Sequence, residues 1–176
     1  MTIATWMRVA VGGAFALVVA AALVWRWHEV ATVEAWLNAR LVRMLGVAET
    51  SSIGAAVVFP LEQRWVGFVV STGCSVAVLL IPPVVLASLF VAFGRLRPLR
   101  AVLSVGAALV LLVVINQARL AAVVVSMQTW GFEEGYRRSH VLIGSAITMV
   151  GLIAVAIVFA VLVGRASRPG PVAHAC

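Results

Sequence analysis

The sequence predicts an all-α integral membrane protein: about four transmembrane helices, an outer amphipathic helix and a short extracytoplasmic β-hairpin. Three observations predict it. The chain is 64% hydrophobic and 11% charged, with mean hydropathy +1.13, whereas a soluble domain needs about a quarter of its residues charged to cover its surface. Four stretches lack charge for long enough to cross roughly 30 Å of hydrocarbon at about 1.5 Å per residue. The basic residues, thirteen Arg and no Lys, lie between these stretches rather than in a patch, so the net charge of +7 reads as membrane topology and excludes a nucleic-acid surface.

The elements follow in chain order. A single membrane domain over 1–176 is expected, with helices at about 9–27, 74–94, 100–126 and 140–164 and an outer segment at 28–73. The first run could be a signal peptide cleaved near Ala20-Ala21-Ala22. Its length and its ending in Trp25 and Trp27, an interfacial aromatic anchor, favour an uncleaved helix. With the N-terminus in the cytoplasm, the inner pieces hold Arg8, Arg95, Arg97, Arg100, Arg165 and Arg168 and no acid. The outer pieces hold Arg26, Arg40, Arg43, Arg64, Arg137 and Arg138 against Glu29, Glu34, Glu49, Glu62, Glu133 and Glu134. The short, purely basic Arg95–Arg100 loop decides the orientation. The chain is thus expected to be multi-pass in the cell membrane with both termini cytoplasmic.

Residues 28–45 read as an amphipathic helix whose apolar stripe is Val30, Val33, Trp36, Leu37, Leu41, Met44 and Leu45, ending at Gly46. It would lie in the outer headgroup layer or against the bundle. Two β-branched and aromatic runs, 55–59 and 65–70, flank the polar residues 60–64 and predict a hairpin. The alternative is one tilted helix from Trp65. Pro82-Pro83 is expected to kink the second span about two turns below Cys74. Glu133 and Glu134 are expected to balance Arg137 and Arg138.

Three side chains come out at one depth. Cys74 opens the second span, His140 opens the fourth, and Arg119 lies about 28 Å of helix beyond Arg100, near the same outer boundary. Each has a bland reading: a small buried Cys, an interfacial His, a snorkelling Arg. Arg119 resists it, because an intramembrane Arg costs about 2.5–3.5 kcal/mol even on the mildest scale. Asn116, one turn earlier on the same face, can orient it.

Ser71-Thr72-Gly73 offers N-caps that would place Cys74 in the first turn of a helix, and Ser139 would do the same for His140. A cysteine at a helix N-terminus beside a cation is in a setting that suits a nucleophile. A neutral imidazole suits a general base, and a guanidinium suits an oxyanion. The trio fits acyl transfer through a thioester. Cys74 and Cys176 form no metal or disulfide framework by spacing, and no cofactor is expected. A thiol-redox role is disfavoured, because no resolving cysteine shares the outer face.

The chain resembles the exosortase/archaeosortase family of membrane cysteine transpeptidases, in a short form, over roughly residues 40–150. The pieces that carry the resemblance are Leu45-Gly46-Val47, Gly73-Cys74-Ser75, Asn116-Gln117-Ala118-Arg119, and His140 followed by Gly144. The resemblance implies Cys74, Arg119 and His140 as catalytic residues, with Asn116, Ser75 and Ser139 in support. It implies, as substrate, an exported protein with a C-terminal transmembrane sorting signal and basic tail. The chain departs from the family pattern at Val76, where a Gly is common, and in lacking extra membrane helices. The other class of function is a non-catalytic membrane scaffold or assembly subunit in which Arg119 pairs with a partner helix.

Overall fold

In the computed structural model, which describes residues 3–139 and 143–166, the helices form a bundle capped at one end by a small sheet. Helix α1 (Ile3–Trp25) breaks at Arg26 and leads directly into α2 (Trp27–Met44). The sheet follows as β1 (Ser51–Ile53), β2 (Ala56–Leu61) and β3 (Arg64–Val69). A 3-10 turn (Thr72–Cys74) then opens α3 (Val76–Leu79) and α4 (Ile81–Ala92). The chain ends in α5 (Pro98–Trp130), α6 (Phe132–Arg138) and α7 (Gly144–Ala166).

Three helices are long and apolar enough to cross a membrane, within Trp6–Trp25, Pro98–Trp130 and Gly144–Leu162. The expected second span is a shorter apolar stretch, Val76–Ala92, interrupted at Leu80. The break is where the prolines demand it. Pro82 and Pro83 sit in the first turn of α4, where missing N–H groups cost no intrahelical bond. The outward faces are consistent with a membrane setting: Phe15, Leu17, Val18, Val102, Val110, Val114, Met149 and Ile153 are all exposed and form an apolar belt. Helix α5 is the pole of the bundle. Its 33 residues reach about 50 Å, and it touches all three core clusters, from Ala101 beside Phe159 through Leu112 beside Val155 to Met127 beneath the sheet.

The hairpin expected from the two apolar runs is present. Strands β2 and β3 pair antiparallel from Ala56↔Val69 to Leu61↔Arg64, which leaves Glu62-Gln63 as a two-residue turn. Both turn residues have positive φ, 49° and 67°, the signature of the hairpin turn that matches strand twist. The tilted-helix alternative is therefore overturned. A third strand, β1, was not foreseen and pairs with β2. Along β2 only Val57, Phe59 and Leu61 point inward, against α2 and α5.

Helix α2 ends as expected at Gly46. The Val47 N–H donates to the Val42 carbonyl and the Gly46 N–H to the Arg43 carbonyl, while Gly46 takes φ +98°. Gly94 (φ +68°) closes α4 by the same pair of bonds, to Phe90 and Val91. The orientation of α2 is the opposite of a water-soluble helix. Val33, Trp36, Leu37, Met44 and Leu45 are exposed, whereas Ala31, Glu34, Ala35, Asn38, Ala39 and Val42 are buried in the bundle.

Candidate functional site

The site lies where α2, the turn before α3, and the distal half of α5 meet beneath the sheet. The structure brings two of the three sequence-predicted residues together: the Arg119 Nη2 donates to the Cys74 sulfur at 3.5 Å. Cys74 is buried at 8% exposure among Val70, Leu120, Ala121 and Val124, and Arg119 is half-buried. The third residue, His140, lies outside the described residues. Of the described residues that follow it, Gly144 lies close to Arg119. A Cβ placed on Gly144 would stand 3.1 Å from the Arg119 Nε and 2.9 Å from the Ser139 carbonyl oxygen. Only a glycine leaves the guanidinium that path between α5 and the start of α7.

Two expectations about local structure need correction. Cys74 ends a 3-10 turn and does not occupy a helical first turn; Ser75 is the N-cap of α3, its hydroxyl accepting from the Ala77 N–H at 3.3 Å. Ser139 is the C-cap of α6, buried, and its hydroxyl donates to the Tyr136 carbonyl. The expected cap, Ser71, makes no side-chain cap bond; the 3-10 turn it opens uses the Cys74 and Ser75 N–H groups, bonded to the Ser71 and Thr72 carbonyls, so the α-helix starts one residue after Cys74 with Ser75 as its cap.

The amide that would have faced a thiolate is taken by another residue. Glu34, reaching in from α2, accepts from the Val76 N–H at 3.0 Å and from the Asn116 Nδ2 at 2.7 Å, both on Oε1. Asn116 thus anchors Glu34 and does not orient Arg119. Three further bonds knit α2 to α5: Asn38 Nδ2 donates to the Gln117 carbonyl and side-chain oxygens, and Gln117 Nε2 donates to the Glu34 carbonyl. Glu34, at 4% exposure, is therefore no outer balancing charge but the joint between the cysteine turn and the arginine helix.

Glu34, Asn38 and Gln117 were missed as site residues. The signal was present as Asn116-Gln117 inside an apolar run and as Glu34 and Asn38 four apart among small residues. Three acceptor oxygens here, Glu34 Oε2, Asn38 Oδ1 and Asn116 Oδ1, are buried without a donor.

The remaining expected pair is found on the surface. Glu134 binds both Arg137, at 2.6 Å, and Arg138, while Glu133 makes no ion pair among the described residues. The Arg138 hydrogen bond holds the Glu134 carboxyl below the usual carboxylate range; desolvation opposes this in part, and Arg137 adds to it.

Below the site, a small cleft between α3, α5 and α7 is lined by Leu79, Ile115, Asn116, Arg119, Thr148 and Gly151. Among the described residues no cluster of three or more metal-ligating side chains occurs. No protein-family model, curated protein or solved structure matches this chain.

Proposed function

We propose that this protein is an extracytoplasmic-facing membrane cysteine peptidase or transpeptidase that cleaves C-terminal sorting signals of exported proteins through a thioester acyl-enzyme. The observation that carries the reading is the 3.5 Å contact between the Arg119 guanidinium and the Cys74 sulfur. A cation aimed at a thiol has a chemical use; an arginine kept for a partner helix, as in the scaffold reading, needs no such neighbour.

In this reading the Cys74 sulfur attacks the scissile carbonyl carbon and forms a C–S bond, its proton passing to His140. Arg119 has five donors, of which one faces the sulfur, so the others can receive the oxyanion. The C–N bond then breaks, the amine leaving with the proton from His140. Water or an amine acceptor next attacks the thioester and restores the thiol. Ser75 and Glu34 hold the turn that carries Cys74, and Gly144 lies close beside the Arg119 side chain.

The reading completes the topology as four spans, with Val76–Ala92 as the second crossing at about 25 Å. The two prolines and the cleft at Arg119 would then lie along the path of a substrate helix. Positive-inside counting places both termini in the cytoplasm and Cys74 outside.

The test is co-expression with an exported protein bearing a C-terminal helix and basic tail. Wild type should shorten it, and mass spectrometry should find a hydroxylamine-labile adduct on Cys74. Cys74→Ala and Arg119→Ala should accumulate in the membrane and leave the substrate intact, and Arg119→Lys should rescue poorly for lack of a planar fork. His140→Ala should retain uncleaved substrate. Normal processing by Cys74→Ala would sink the enzyme reading and favour the scaffold.

A further inference from the structure

At the end of the bundle away from Cys74, α1, α4 and the start of α5 stand apart around an open groove of about 1360 Å³. Its depth is set by one close approach. Gly12 of α1 lies so near α4 that a Cβ there would stand 2.8 Å from the Ala92 Cβ and 3.2 Å from the Ser88 carbonyl oxygen. Because α1 and α4 run in opposite senses, Arg8, one turn before Gly12, comes level with the loop beyond Ala92. That loop supplies Arg95 and Arg97, and α5 supplies Arg100; all four arginines line the groove.

The walls are hydrocarbon, with Val11, Phe15, Val91 and Val105 among them. The one hydroxyl there, Ser88, is spent on the Val84 carbonyl. No acidic residue occurs before Glu29 or between Glu62 and Glu133, and none lines the groove. Arg100 is already engaged within the chain, and the ion pairs among the described residues, at Arg26, Arg64, Arg137 and Arg138, do not include Arg8, Arg95 or Arg97.

We propose that this groove binds an anionic phospholipid of the leaflet opposite Cys74, its phosphate held by Arg8, Arg95 and Arg97 and an acyl chain laid along the walls. Guanidinium forks match phosphate oxygens in pairs, and basic pockets between transmembrane helices at one membrane face suit such head groups. The size argues the same way. A groove above the roughly 300–1,000 Å³ of small-molecule pockets suits an elongated amphiphile. A substrate's basic tail is excluded by its sign. The inference is independent of the chemistry at Cys74.

Trp6 is the natural reporter, since it is exposed on α1 at the depth of Arg8, about half a turn round the helix from it, while the other five tryptophans lie from Trp25 to Trp65 and at Trp130. The full chain, with those five changed to Phe, is reconstituted in phosphatidylcholine vesicles. Trace phosphatidylglycerol or trace phosphatidylcholine with brominated chains is then added as quencher. Phosphatidylglycerol should quench Trp6 at about fivefold lower mole fraction at low salt, the effect of one arginine's attraction, and more if several act together. The preference should shrink with salt, vanish in Arg8→Gln/Arg95→Gln/Arg97→Gln, and survive excess inorganic phosphate.

Equal quenching by both lipids in the wild-type background overturns the proposal without reliance on any arginine variant. Loss of the preference to inorganic phosphate overturns it in favour of a free-anion site. Displacement of the lipid by an acidic peptide, with no headgroup preference beforehand, overturns it in favour of a protein partner.

Discussion

Removing Glu34 should loosen the whole cysteine-bearing end of the bundle, although its hydrogen bonds reach neither Cys74 nor Arg119. Its Oε1 receives the Val76 N–H and the Asn116 Nδ2. Glu34→Ala leaves both donors buried and unpaired, at about 1–3 kcal/mol each. Two effects reduce the sum. Glu34 Oε2 is itself buried without a donor, so its loss returns something, and polar bonds inside membrane bundles average only about 0.6 kcal/mol by double-mutant cycles. A net loss of about 2–4 kcal/mol is expected from these terms.

Glu34→Gln should cost no more than about 1 kcal/mol, since the amide oxygen accepts the same bonds. Its amide nitrogen, at the Oε2 position, also enters a cluster with two unserved acceptors, Asn38 Oδ1 and Asn116 Oδ1. The assay is unfolding in mixed micelles with rising dodecyl sulfate, followed by circular dichroism, alongside the alkylation rate of Cys74. Glu34→Ala should lower the midpoint and speed alkylation, and its effect should be non-additive with Asn116→Ala because the two share one bond. An unfolding free energy unchanged in Glu34→Ala, or strict additivity with Asn116→Ala, would refute the joint.

Other outcomes follow from single contacts. Gly144→Ala must move either the Ser139 carbonyl or the Arg119 side chain, and should cost about 1–3 kcal/mol as an overpacked site. It should also reduce the activity proposed above, whereas Ala at Gly164, with nothing within 4 Å of its Cβ, should do neither. In a Cys176→Ser background, a small impermeant methanethiosulfonate added to intact cells should label Cys74 slowly, because the sulfur is buried; labelling only from the inside would reverse the proposed orientation. Glu134 should contribute to stability only above the ordinary carboxylate range. Its folded pKa lies below 4.5, so the contribution is complete at neutral pH and fades as pH falls below about 4.5 through the folded value. Glu134→Gln should abolish that part of the acid sensitivity, read as the pH dependence of the unfolding midpoint.

Much of the architecture is written locally. The apolar runs alone announce lipid as the solvent, because no packing arrangement could hide so much hydrocarbon from water. The hairpin was legible since β-branched runs and a polar turn are short-range signals, and α2 was bounded by its Gly46 stop. Strand β1, Ser51–Ile53, carried no such signal and exists only because β2 offers it an edge. Counting residues along helices placed Cys74 and Arg119 at one depth, since helical rise is fixed; whether their side chains face each other depends on helix rotation, which no count contains.

The face that α2 turns inward was decided by the tertiary structure. In water an apolar stripe seeks the core, whereas the stripe from Val30 to Leu45 could equally lie in the outer headgroup layer or against the bundle. In lipid the outside is as apolar as any core, so burying Val33, Trp36 or Leu37 gains little, and these side chains stay exposed. What cannot be left in hydrocarbon is the carboxyl of Glu34 and the amide of Asn38, which find donors and acceptors only on α5 and at the turn after Cys74. Small residues at Ala31, Ala35 and Ala39 let the helices approach closely enough for those bonds to form. The composition of the chain determined that it lives in a membrane, and the partners available to its few buried polar groups determined which way its helices face.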